Sequence, residues 1–216
     1  MFSRQQAKAF YDQFGRKQDA QSFYEDPALQ DLVDHAALEQ ARTVFEFGCG
    51  TGRFAERLLD RYLPLDAVYR GTDLSETMAT LARERLHRFG NRVEIVLTDG
   101  SLVSAVSPAS VDVFVAAYVL DLLPDEDIRG VLAEARRVLR PGGRLCVASL
   151  THGRAGLPRL VSWLWARVHA LRPALVGGCR PLNLVQFMND RTWCLDHVNI
   201  VVAYGIPSEI IVASPA

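Results

Sequence analysis

From residue 43 to residue 150 the sequence alternates short β-branched runs with amphipathic stretches, and that alternation leaves few folds open to the chain. Segments 43–47, 67–72, 93–97, 111–119 and 144–150 read as strands. Between the first two, Phe54, Leu58, Leu59 and Tyr62 share one helical face, and 75–89 reads as a second helix. A third helix carries Ile128, Val131, Leu132, Ala135, Val138 and Leu139 as its apolar stripe. Asp125, Glu126 and Asp127 sit at its positive end and Arg136, Arg137 and Arg140 near its negative end, and Pro141-Gly142-Gly143 is expected to stop it. Strands separated by helices predict an α/β protein, a mostly parallel sheet with helices on both faces. The ending differs. Runs 197–204 and 209–213 are separated only by Gly205-Ile206-Pro207-Ser208, too short for a parallel crossover, so they are expected to pair antiparallel.

Length and composition place this core in a single domain: 216 residues with 49% hydrophobic side chains are enough to bury one core unaided. The expected layout is a helical cap at 1–42, a core at 43–150, a candidate lid at 151–196 and a hairpin at 197–216. A formal net charge of -1 supplies no field that would gather nucleic acid, so no polynucleotide partner is expected. Cys49, Cys146, Cys179 and Cys194 lack metal-ligand spacing and are read as reduced, buried thiols, with no metal expected. The first eight residues lack the apolar core of a signal peptide, which points to a cytoplasmic protein. Arg159, Arg167 and Arg172 interrupt the apolar segment 157–176 and Pro173 breaks it, so it does not read as a membrane span.

Function concentrates at the strand ends. Gly48, Gly50 and Gly52 join the first strand to its helix, where glycines let backbone approach a ligand and the helix start offers unpaired N–H groups. A ligand-free tight turn would look similar. Position 53 is arginine where a dinucleotide fingerprint needs glycine, which argues against NAD or FAD. Asp73 ends the second strand, where a carboxylate can accept both hydroxyls of a ribose; the other reading is a helix cap shared with Ser75. Asp99-Gly100 ends the third strand and suits an adenine amino group, or is a plain turn.

Taken as a set, Glu46-Phe47-Gly48-Cys49-Gly50-Thr51-Gly52, Gly71-Thr72-Asp73-Leu74-Ser75 with Met78, Thr98-Asp99-Gly100 and Leu139-Arg140-Pro141-Gly142-Gly143 resemble the motifs of class I S-adenosylmethionine-dependent methyltransferases. The resemblance implies a Rossmann-like three-layer sandwich with a seven-stranded sheet and an antiparallel C-terminal strand. It implies S-adenosylmethionine as cofactor. Glu46, Gly48, Cys49, Gly50 and Gly52 would surround its methionine moiety, Asp73 its ribose, Leu74 and Met78 the adenine face, Asp99 and Gly100 the adenine edge, and Tyr118 the methyl-bearing sulfur. Phe10-Tyr11-Asp12 resembles the opening of the ubiquinone/menaquinone-biosynthesis type, in which the preface folds over the cofactor. Tyr11 and Tyr24 would then touch cofactor or acceptor; otherwise they pack a helix onto the core.

Methyl transfer from a sulfonium is an in-line displacement, and holding the reactants collinear can supply about 7–11 kcal/mol. No nucleophile triad or metal is required. A general base is needed only where the acceptor must lose a proton. Tyr118, Asp121 and His152 follow strands that would point at the pocket and are the candidates, whereas His35, His87, His169 and His197 read as surface or packing residues. The stretch 157–171, with Trp163 and Trp165, reads as a core-packing helix or as a lid over a small-molecule acceptor of aromatic or lipid-like kind. Intact cofactor motifs would equally suit a non-catalytic S-adenosylmethionine-binding partner protein. A nicotinamide dehydrogenase is disfavoured by Arg53 and the antiparallel ending, and a protein or RNA methyltransferase by the lack of an added domain or basic stripe.

Overall fold

A computed structural model describes residues 2–100, 106–189 and 191–216. Its strands are β1 (Thr43–Phe47), β2 (Val68–Asp73), β3 (Val93–Leu97), β4 (Val111–Ala117), β5 (Leu139–Leu150), β6 (Trp193–Ala203) and β7 (Ile206–Pro215). They form one sheet in the order β3-β2-β1-β4-β5-β7-β6. The first five run parallel, and β7 lies antiparallel between β5 and β6. The expected Rossmann-like sandwich is present. Strand order reverses between β1 and β4, where open α/β sheets leave a crevice beyond the strand ends.

The helices are α1 (Arg4–Phe14), α2 (Ser22–His35), α3 (Arg53–Arg61), α4 (Glu76–Leu86), α5 (Asp125–Val138) and α6 (Gly156–Leu171). The two-residue period of the strands divides the core between the faces of the sheet. Phe45, Phe114, Leu145 and Val147 pack with Ile128, Val131 and Ala135 of α5, while Val44, Val113, Val115 and Cys146 join Leu32 of α2, Leu58 of α3 and Ala79 of α4. No helix among the described residues is long and apolar enough to cross a membrane.

The preface is fastened to the core by polar contacts. Ser3 and Gln6 form a capping box that starts α1. Asp12 accepts from Ser75 Oγ at 2.6 Å and from the Thr77 N–H at 3.3 Å, docking α1 on the start of α4. Arg53 bridges to Glu25 at 3.0 Å and Asp26 at 2.5 Å on α2. Burial lifts the Glu25 carboxyl to about 7 against the pull of Arg53. Arg53→Ala is expected to cost about 2 kcal/mol in urea denaturation, less than for a fully buried pair because the Glu25 carboxyl can take up a proton.

Three expectations need correction. The third predicted helix ends at Val138, ahead of Pro141-Gly142-Gly143, because Leu139 already pairs with Val111; the Pro-Gly-Gly run instead bulges out of β5 before Arg144 rejoins opposite Val113. The final hairpin turns on Tyr204-Gly205, with φ of 52° and 81°, the signature of a two-residue type I′ connection, so Pro207 and Ser208 belong to β7. Cys194 is exposed on the edge strand, whereas the other three thiols are buried.

Candidate functional site

The loop after β1 is pinned by its own backbone. Gly48 has φ 74°, and its N–H and that of Cys49 both donate to the Thr72 carbonyl at 2.9 Å. A Cβ at Gly48 would lie 2.5 Å from Val119 Cγ2, so glycine is what lets the loop pass the chain leaving β4. Gly50 donates its N–H to Asp73 Oδ2 at 2.9 Å, and Ser75 donates its N–H to Oδ1 at 2.8 Å. Burial pushes the Asp73 carboxyl to about 6 despite these donors. Capping of α4 falls to Ser75, whose Oγ accepts from the Met78 N–H at 3.2 Å.

A cavity opens here, lined by Gly48, Gly50, Asp73, Leu74, Met78, Gly100 and Tyr118 from the core and by Phe2, Arg4, Lys8 and Tyr11 from the preface. A second, polar chamber adjoins it. Glu46, Cys49, Glu25 and Arg53 line the second, and Gly48, Gly50, Gln18 and Tyr118 line both. Glu46 accepts from the Tyr69 hydroxyl, and burial raises its carboxyl to about 7 against that hydrogen bond. Gly52, with φ 75°, caps α3 and lines neither chamber. Asp99 is exposed outside the lining, and Thr98 and Gly100 face the cavity at that strand end.

The three candidate bases separate. The Tyr118 ring lies edge-on to Tyr24 at 5.9 Å, and its hydroxyl donates to Ser208 Oγ at 2.8 Å; burial drives its pKa upward. Asp121 is fully buried and does not line the cavity. Its Oδ2 accepts from the Leu150 N–H at 3.3 Å, its Oδ1 has no partner, and burial lifts the carboxyl to about 7. His152 is exposed and lines neither chamber. An Asp carboxyl raised from its ordinary value near 4 favours the folded state fully at low pH and loses that contribution as pH climbs toward 7. Stability is therefore expected to fall between about pH 4 and pH 7, and Asp121→Asn to remove about 1–2 kcal/mol of that fall, read from denaturant midpoints across the range.

Tyr11 meets the chain beyond α6. Its hydroxyl donates to the Gly177 carbonyl at 3.1 Å, and Trp165 Nε1 donates to the Cys179 carbonyl at 3.0 Å. No α6 residue lines the cavity; the helix is linked to it through this turn. Sequence reasoning missed Gln18, whose Oε1 is buried without a partner at the junction of the chambers. A lone glutamine in a short 3₁₀ turn carries no signal of that role. It likewise missed Asp19, which accepts from Thr51 Oγ at 2.6 Å and from Arg85, clamping the preface onto the glycine loop. Asp31, His35 and His197 cluster where α2 meets β6, but Asp31 already bonds both His197 and Asn199, so the group reads as a clasp.

Residues 44–143 match the family profile of the methyltransferase domain. An uncharacterised methyltransferase of Bacillus mycoides strain KBAB4 is 30% identical over 138 residues, which is 64% of this chain and 61% of that protein. The chain thus spans about three fifths of the length of the curated relatives it matches. Among solved structures, the [4+2]-cyclase SpnF superposes with a TM-score of 0.75 at 16% identity, over 98% of this chain and 96% of that one. The geranyl diphosphate C-methyltransferase of Streptomyces coelicolor A3(2), solved with Mg2+, geranyl-S-thiolodiphosphate and S-adenosyl-L-homocysteine, gives 0.67 at 15% identity over 89% of this chain and 76% of that one. At such identities the structures speak for the fold. Over residues 44–143 the chain is thus similar to the methyltransferase-domain family.

Proposed function

We propose that the protein binds S-adenosylmethionine across the ends of β1, β2 and β4 and transfers its methyl group to a small, partly apolar acceptor. The observation that carries this reading is the Asp73 carboxylate, held by two backbone N–H groups at a cavity walled by Leu74 and Met78, with a polar chamber alongside. The residues fit the cofactor. Asp73 suits the ribose hydroxyls, Leu74 and Met78 the adenine faces, and the orphaned Gln18 Oε1 with Glu46 the ammonium of the methionyl group. When bound, S-adenosylmethionine supplies a methyl carried on a sulfonium, which leaves as a thioether.

The protein's part is then to position and to exclude water. Gly48 and Tyr118 confine the methyl-bearing end. Phe2, Tyr11 and Leu122 offer the acceptor an apolar surface, which favours an aromatic or lipid-like molecule. Of the three candidate bases, Tyr118 lines the cavity, whereas Asp121 and His152 line neither chamber. Trp165→Ala, which releases the turn bonded to Tyr11, is expected to raise the acceptor KM about tenfold with unchanged S-adenosylmethionine affinity, as steady-state kinetics and dialysis would read.

The test is incubation with methyl-tritiated S-adenosylmethionine and a panel of phenols, quinols, amines, RNA and protein. Label in an organic-extractable small molecule supports the reading. Label only in RNA or protein, or in nothing while the cofactor binds, contradicts it.

A further inference from the structure

The outer surface of α6 points to a second role. Leu157, Leu160, Leu164 and Leu171 are spaced three, four and seven residues apart, which aligns them along one side of the helix. They are 48–83% exposed, and Trp163 beside them is 52% exposed. The opposite side faces the protein: Ser162 is buried, and Trp165 and His169 bond to the carbonyls of Cys179 and Gly178. The apolar surface continues past the helix. Gly205 of the last turn packs beside Leu157 and Val161, and next to it Tyr204 pairs its ring with Phe23 at 5.4 Å, both side chains exposed.

Charge decides what covers this face. From residue 151 to residue 189 the sequence has five arginines and no carboxylate, in a chain whose net charge is -1. Arg154, Arg159, Arg167 and Arg172 are exposed, and Arg167 lies over the Trp163 ring at 5.1 Å. Leucines, a tryptophan and a tyrosine flanked by exposed arginines match an interfacial helix on anionic lipid, where rings and guanidinium groups settle at the headgroups and leucines enter the acyl boundary. A two-fold dimer through the same face would set two arginine-rich rims against each other.

We propose that α6 and the Tyr204 turn dock the protein on an anionic membrane surface. This docking does not depend on methyl transfer. Its link to the acceptor does rest on the function proposed above: through Trp165 and the turn at 177–179, the docked helix adjoins Tyr11, so a lipid-like acceptor would enter from the membrane side.

The test is co-sedimentation of the full chain with vesicles of phosphatidylcholine alone and of phosphatidylcholine and phosphatidylglycerol in equal parts. Partitioning onto the anionic vesicles is expected to be at least about tenfold stronger and to weaken with salt. Leu160→Asp with Leu164→Asp is expected to abolish it, and Arg159→Glu with Arg167→Glu to reduce it about fivefold per charge removed. All four positions are exposed, so melting curves of both variants should match the parent. Absence of vesicle binding overturns the proposal. So does a dimer in sedimentation velocity that Leu164→Asp dissociates without any vesicle binding, which would give the face to a second copy.

Discussion

Asp73→Ala is expected to weaken S-adenosylmethionine binding at least about a hundredfold, read by equilibrium dialysis. Two hydrogen bonds from ribose hydroxyls to a carboxylate are each worth about 1.5–3 kcal/mol, and 1.4 kcal/mol is a factor of ten. The same side chain orders the loop, since it accepts from Gly50 and Ser75, so its loss also releases two backbone donors. Asp73→Asn, which keeps one acceptor oxygen, is expected to fall between parent and alanine variant. Unchanged affinity in Asp73→Ala would remove the ribose role from this residue.

Gly48→Ala is expected to destabilise the fold by about 2–5 kcal/mol in chemical denaturation. Part comes from φ 74°, which costs a residue with a Cβ about 1–2 kcal/mol. The rest comes from overlap of the new Cβ with Val119 Cγ2 at 2.5 Å, where overpacking typically costs about 1–3 kcal/mol. The two contributions separate by mutation. Val119→Ala removes Cγ2 and should recover part of the steric cost in the double variant, leaving the 2.9 Å approach of its Cβ and the backbone part. Gly142→Ala, with φ 79° and nothing within 4 Å, isolates the backbone part and is expected to lose only about 1–2 kcal/mol. Equal losses at Gly48 and Gly142 would show that the loop does not press on Val119.

Local chemistry made much of this legible in the sequence. The bounds of β1 and β3 match the reading residue for residue, because turn-forming or polar residues bracket both runs. The antiparallel ending followed from connection length alone. Errors arose where tertiary pairing overrode a local signal. Pro141-Gly142-Gly143 reads as a helix stop, yet the pairing of Leu139 with Val111 ends the helix earlier. A tyrosine at positive φ is unexpected, so Tyr204 was read as strand and Pro207 as turn. The helical period of 157–171 was visible, but its orientation was not. Hydrogen bonds to the 177–179 turn draw Trp165 and His169 inward and leave the leucines outside. Within the site, the glycine loop, Asp73, Leu74 and Met78 were readable from motif spacing. Gln18 and Asp19 were not, because they reach the site only through the folding of α1 and its following turn over the loop.

The most direct measurement is calorimetric titration of the protein with S-adenosylmethionine, S-adenosylhomocysteine and NAD. Binding of both sulfur ligands, with NAD inert, is the expected result; binding of NAD alone, or of none of the three, would contradict the assignment of this cavity.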